Sequence, residues 1–137
     1  NLGVTLEKRR DLAGAEEAYR AAIAADPQYA DAHFNLGVML KKHGDLAGAE
    51  TAYRAAIAAD PQHAKAHYNL GVILYTRGDL AGAETAFHAA IEADPQDAMA
   101  HYNLSVVLEK RGDNAGAKAA KYSSKAGLHD TIPPLKF

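Results

Sequence analysis

The chain has 137 residues, 48% of them hydrophobic and none of them cysteine, and its 15 basic and 17 acidic side chains leave a net charge of −2. That balance offers no basic footprint for nucleic acid, and the missing thiols rule out disulfides and cysteine-ligated zinc. No apolar run approaches the roughly 18 residues of a membrane-spanning helix, and no secretory signal is visible.

Internal repetition dominates what remains. Asn1, Asn35, Asn69 and Asn103 open the phrases NLGVTL, NLGVML, NLGVIL and NLSVVL, a period of 34 residues. DLAGAEEAYRAAIAADPQ, DLAGAETAYRAAIAADPQ and DLAGAETAFHAAIEADPQ follow in the same register, with DNAGAKAAKYSSKAG as a worn fourth copy. A fixed period of this size means one supersecondary unit stacked on itself, each copy burying its apolar face against its neighbours. Eight of the 34 positions differ between copies one and two, and nine between copies two and three. Such sameness fits recent duplication or a consensus-like designed array. The register divides the chain into units 1–34, 35–68, 69–102 and 103–126, with a tail at 127–137.

The first unit begins bare at Asn1. An array truncated at its N-terminus is expected, with an unshielded apolar end near Leu2, Leu6, Leu12 and Tyr19. Arg10 stands where the later copies carry a turn glycine. In the second unit Leu36, Gly37, Leu40 and His43 share one helical face. Gly44-Asp45 breaks that helix, and Asp45 is a natural N-cap for the next. Leu46, Ala49, Tyr53, Ala56 and Ile57 form a second amphipathic stripe, which Asp60-Pro61 ends because a residue before proline is pushed out of the helical region. The unit therefore reads helix, tight turn, helix, tight turn. Gly3, Gly37 and Gly71 lie inside the first helices, where glycine costs about 1 kcal/mol against alanine. Close approach of the partner helix is the expected compensation.

The fourth unit departs from this pattern. Ser105 replaces the helix glycine, while Asn114, Lys121, Ser124 and Lys125 replace Leu46, Tyr53, Ala56 and Ile57. A polar outer face is what the closing element of a stack requires. Gly127 can end the last helix in the left-handed conformation. The two prolines in Ile132–Phe137 predict an extended tail: a disordered segment, one packed on the final helix, or a surrogate ligand in a neighbour's groove.

Taken together, Asn35-Leu36-Gly37, Gly44-Asp45, Ala49, Tyr53, Ala56 and Asp60-Pro61 resemble the tetratricopeptide repeat signature. The resemblance covers about residues 1–126 and is nearly continuous in the first three copies. It implies an all-α class: an α-solenoid of helix–turn–helix units wound into a right-handed superhelix. It also implies a non-catalytic interaction module whose concave groove is lined by the first helices. One departure from the family pattern is His33, His67 and His101, which stand where an early aromatic is usual.

The groove-lining stripe runs through Asp31, Phe34, Asn35, Val38, Lys41 and Lys42. Its later copies run through Lys65, Tyr68, Asn69, Val72, Tyr75 and Thr76, and through Met99, Tyr102, Asn103, Val106, Glu109 and Lys110. A carboxamide offers donor and acceptor together and so can pair with a peptide's backbone N–H and C=O. Layers about 10 Å apart and an extended chain rising about 3.3 Å per residue would bring one asparagine to roughly every third ligand residue. This is similar to the asparagine ladder in the tetratricopeptide superhelix of O-GlcNAc transferase. The similarity carries over to Asn1, Asn35, Asn69 and Asn103 only, and no glycosyltransferase domain is present. The competing reading has these asparagines bonding within the stack. Four net hydrogen bonds of about 1 kcal/mol each do not make tight binding. Apolar contact must come from Phe34, Tyr68, Tyr102, Val38, Val72 and Val106, flanked by Lys41, Lys65 and Tyr75.

Other signals are weaker. A carboxylate clamp, as in chaperone-binding members of the family, finds only Lys65 at a plausible position. His63 and His67 are four residues apart on a helix, but no third metal ligand joins them. The repeated A-G-A at 13–15, 47–49 and 81–83 reads as packing at a helix start rather than a phosphate cradle, and no catalytic constellation recurs. No cofactor is expected. The partner predicted first is a protein or peptide in extended conformation. The alternative is a self-assembling scaffold that stacks through the open N-terminal repeat or the C-terminal tail. A third expectation is the targeting segment of a larger enzyme, against which the capped C-terminal end counts only weakly.

Overall fold

A computed structural model describes residues 2–128, with side chains from 11 to 124. The described residues form α1 (Leu2–Ala25), α2 (Ala30–Lys42), α3 (Leu46–Ala59), α4 (Ala64–Thr76), α5 (Leu80–Ala93), α6 (Ala98–Lys110) and α7 (Asn114–Leu128), with no strand among them. Two compact units contain them, residues 1–66 and 67–137.

The turns form for local reasons. Gly44, Gly78 and Gly112 take φ values of 82°, 86° and 85°, the left-handed region that side chains with a Cβ rarely adopt. The next residue caps the following helix: Asp45 Oδ1 accepts from the Gly48 N–H at 2.8 Å, and Asp79 and Asp113 do the same for Gly82 and Gly116 at 2.9 Å. A Cβ on Gly82 would collide with the Asp79 carboxylate, so the middle glycine of A-G-A makes room for the cap and is more than a packing residue. At the far end of α3, Asp60 leaves the helical region at φ −140° and its carboxylate accepts from the Gln62 N–H at 3.0 Å.

The first expected unit departs from this plan. α1 runs unbroken through Arg10-Asp11 to Ala25, so no hairpin forms there. A residue with a Cβ at the turn position would take a left-handed conformation at a cost of about 1–2 kcal/mol. Continuing the helix avoids that cost. The phase of the units also shifts. The cuts at 34/35, 68/69 and 102/103 fall inside α2, α4 and α6, and the hairpins begin at Ala30, Ala64 and Ala98.

In residues 1–66, α2 and α3 close on each other through Gly37. A Cβ there would lie 2.6 Å from Tyr53 Cε1, so the ring occupies the space that glycine leaves. Leu36, Met39, Leu40, Ala49, Ala52 and Ala56 complete that core. His43 does not join the face predicted for it, because it is the exposed C-cap of α2. In residues 67–137, Phe87 fills the same space beneath Gly71 at 2.7 Å, among the buried Leu70, Ile73, Ala83 and Ala90. The α6–α7 hairpin lacks this ring contact, with Ser105 and Lys121 at the two positions. Ser124 is buried rather than part of a polar outer face, and its hydroxyl donates to the Ala98 carbonyl at 2.8 Å. α7 continues through Gly127 to Leu128, so the left-handed closing residue expected at Gly127 is not formed. The extended tail expected at Ile132–Phe137 lies outside the described residues.

Candidate functional site

The first-helix stripe of residues 67–137 surrounds a hollow of about 230 Å³ lined by Val72, Tyr75, Phe87, Asn103 and Val106. Val72, Tyr75, Asn103 and Val106 are stripe residues, all half-buried. Phe87 comes from α5 and forms part of the lining because Gly71 lets its ring come up against α4. A second-helix ring buried in the core thus also lines the hollow. Tyr68 stands beside it, with its ring centroid 5.8 Å from that of Phe87.

Asn103 Nδ2 donates to the Tyr68 hydroxyl at 3.0 Å. This bond fixes which way the carboxamide faces. It uses one of two amide hydrogens and leaves the oxygen and the second hydrogen to other partners. Asn69 is half-buried and Asn35 is exposed on the surface of α2. Asn1 lies outside the described residues.

The remaining predicted residues divide by their surroundings. Phe34 packs inward, its ring centroid 5.8 Å from Tyr53 and 5.0 Å from His63. It supports the face more than it presents a contact. Tyr102 is 46% exposed and is the most open of the three stripe aromatics. Val38 and Lys41 are half-buried on α2, and Lys65 is exposed.

The histidines serve local structure. His33 and His101 each direct Nε2 at the proline carbonyl of the preceding turn, Pro27 and Pro95, at 2.9 Å. They fasten the turn to the first helix, which is a different service from the aromatic packing expected at this position. Both ring nitrogens of His63 are engaged, Nδ1 with the Ala66 N–H at 3.1 Å and Nε2 with Asp31 Oδ1 at 2.9 Å. The acceptor role of Nδ1 places the imidazole proton on Nε2. Among the described residues no group of three metal-ligating side chains comes together.

Comparison with known proteins agrees with the fold. The tetratricopeptide repeat profile matches residues 1–50, 40–98 and 76–125. The chain belongs to the tetratricopeptide repeat family, an all-α solenoid class whose members act in protein–protein interaction or as scaffolds. Among solved structures it is similar to one titled MamA RS-1 ArsTM double mutant, with a TM-score of 0.77 and 22% identity over 93% of this chain and 72% of that one. It is also similar to MamA MSR-1 C2, with a TM-score of 0.73 and 19% identity over 96% and 75%. At these identities the likeness is one of fold. No curated protein matches the chain in sequence. No described helix is long and apolar enough to cross a membrane.

Proposed function

We propose that the first-helix face binds protein segments in extended conformation, with asparagine carboxamides holding the ligand backbone and apolar hollows taking its side chains. The observation that carries this is the hollow of about 230 Å³, in which a carboxamide, Asn103, stands among Val72, Tyr75, Phe87 and Val106. Small-molecule and peptide sites share this composition, mostly apolar lining with a few placed polar groups for orientation. Asn69 and Asn35 repeat the carboxamide one and two periods earlier, and Asn1 one further. The Tyr68 bond to Asn103 is the within-stack bond of the competing reading, and it is compatible with the ligand role because the carboxamide oxygen and one amide hydrogen are left for a ligand.

Backbone readers of this kind gain modestly from each hydrogen bond, about 1 kcal/mol, so micromolar affinity is expected. The test is retention of a randomised ten-residue peptide pool on immobilised protein, comparing the wild type with Asn35→Ala/Asn69→Ala and Asn69→Ala/Asn103→Ala. The double variants should lose most of the retained peptide. Equal retention by all three proteins removes the ladder. Self-assembly through α1 is the competing use of the chain, and concentration-dependent growth in sedimentation without any peptide retention would favour it.

A further inference from the structure

The last hairpin carries two linked changes at one place in space. Its predecessors set a glycine beneath an aromatic ring, Gly37 with Tyr53 and Gly71 with Phe87. At the same two positions the last hairpin has Ser105 and Lys121. A Cβ in the earlier hairpins would stand 2.6–2.7 Å from ring carbons, so serine is compatible only once the ring has gone. Ser105 is buried and donates to the carbonyl of Tyr102, while Lys121 is exposed. The volume that the ring would occupy is a hollow of about 270 Å³. Its lining is the apolar Val106 and Ala117 together with Tyr102, Ser105, Glu109, Asn114, Lys118 and Lys121.

We infer that this hollow is a subsite for an acidic side chain of the bound segment, adjoining the apolar hollow that takes an aliphatic one. The inference rests on the groove reading above and specifies the ligand class. Two features point to a carboxylate, and a third sets its subsite beside the apolar hollow. Two lysines against one glutamate leave the lining with an excess positive charge. Asn114 and Tyr102 add polar groups able to donate to carboxylate oxygens. Val106 lines both hollows, so they adjoin at α6. Layers about 10 Å apart against a rise of about 3.3 Å per residue separate the two ligand positions by about three residues. The preferred segment therefore carries an aliphatic residue with Asp or Glu about three positions away.

Two ten-residue peptide pools test this, both with leucine at the fifth position. One carries aspartate at the second and eighth positions, so that either chain direction can satisfy the site. The other carries asparagine there, and all remaining positions are random. The wild type should retain the aspartate pool about fivefold better at low salt, the size of a favourable exposed ion pair. Added salt should shrink the ratio. Lys121→Gln should bring it close to one, and Glu109→Gln should raise it. Ser105→Gly/Lys121→Phe, which restores the pair used by the preceding hairpin, should also abolish the preference. Equal retention of both pools by the wild type overturns the acidic subsite and leaves the groove reading intact. Retention of neither pool overturns both.

Discussion

Tyr53 is fully buried beneath α2, and its hydroxyl has no hydrogen-bond partner among the described residues. A buried orphan hydroxyl forfeits its bonds to water, typically at about 1–3 kcal/mol, and the next hairpin avoids this by using Phe87. Replacement Tyr53→Phe is therefore expected to raise stability by about 1 kcal/mol, read from urea unfolding. Burial also pushes the Tyr53 pKa from 10.0 up to about 12. The folded protein thus holds this proton more tightly than the unfolded chain does. The associated stability is fully present below pH 10 and is lost as pH rises toward 12. Wild-type unfolding midpoints should fall across that window more steeply than those of Tyr53→Phe. Parallel pH curves for the two proteins would contradict the assignment.

Between helices, stability comes from a small module, a left-handed glycine, a capping aspartate and a second glycine that leaves room for the carboxylate. Loss of the cap in Asp79→Ala should cost about 1 kcal/mol, measured as a shift in urea midpoint at constant slope. α1 shows the module's absence. Its Arg10 takes the place of Gly44, and the helix continues through the position where the other hairpins turn. Arg10→Gly should allow Asp11 to cap a new helix start and convert the continuous helix into a hairpin. Amide exchange would then accelerate for residues 10–13 while the second half of α1 stays protected. Unchanged protection across that stretch would show that the turn glycine is not what decides the form of α1.

At the scale of the whole molecule, stability in a repeat array is close to a sum of local contributions. Gly37→Ala and Gly71→Ala each drive a methyl into a different buried ring, Tyr53 in residues 1–66 and Phe87 in residues 67–137. Overpacking of this kind costs about 1–3 kcal/mol. The double variant should lose the sum of the two single losses to within about 0.5 kcal/mol, since the two methyls meet different rings and sites with no shared partner act independently. A marked departure from additivity in equilibrium unfolding would show that the two rings are coupled through the chain.

The amino-acid sequence by itself determined the period, the helix pairs, the capping aspartates and the pairing of helix glycines with close partner helices. Each of these is a local preference, and repetition makes local signals stand out three times over. It also located most of the first-helix stripe that carries the candidate site. What it could not decide depends on which atoms meet between layers. Phe34 packs against Tyr53 and His63, and Asn103 is held by a tyrosine 35 residues away. Ser124, polar and expected outside, is buried because a backbone carbonyl of α6 lies within reach of its hydroxyl. In the last hairpin Lys121 stands where the earlier hairpins have a ring, and Ser105 brings a hydroxymethyl group opposite it, so the hollow there has a polar lining. A periodicity treats such exchanges as wear at the end of an array. Their meaning emerges only when packing brings the two positions together, since a space is a property of the atoms around it.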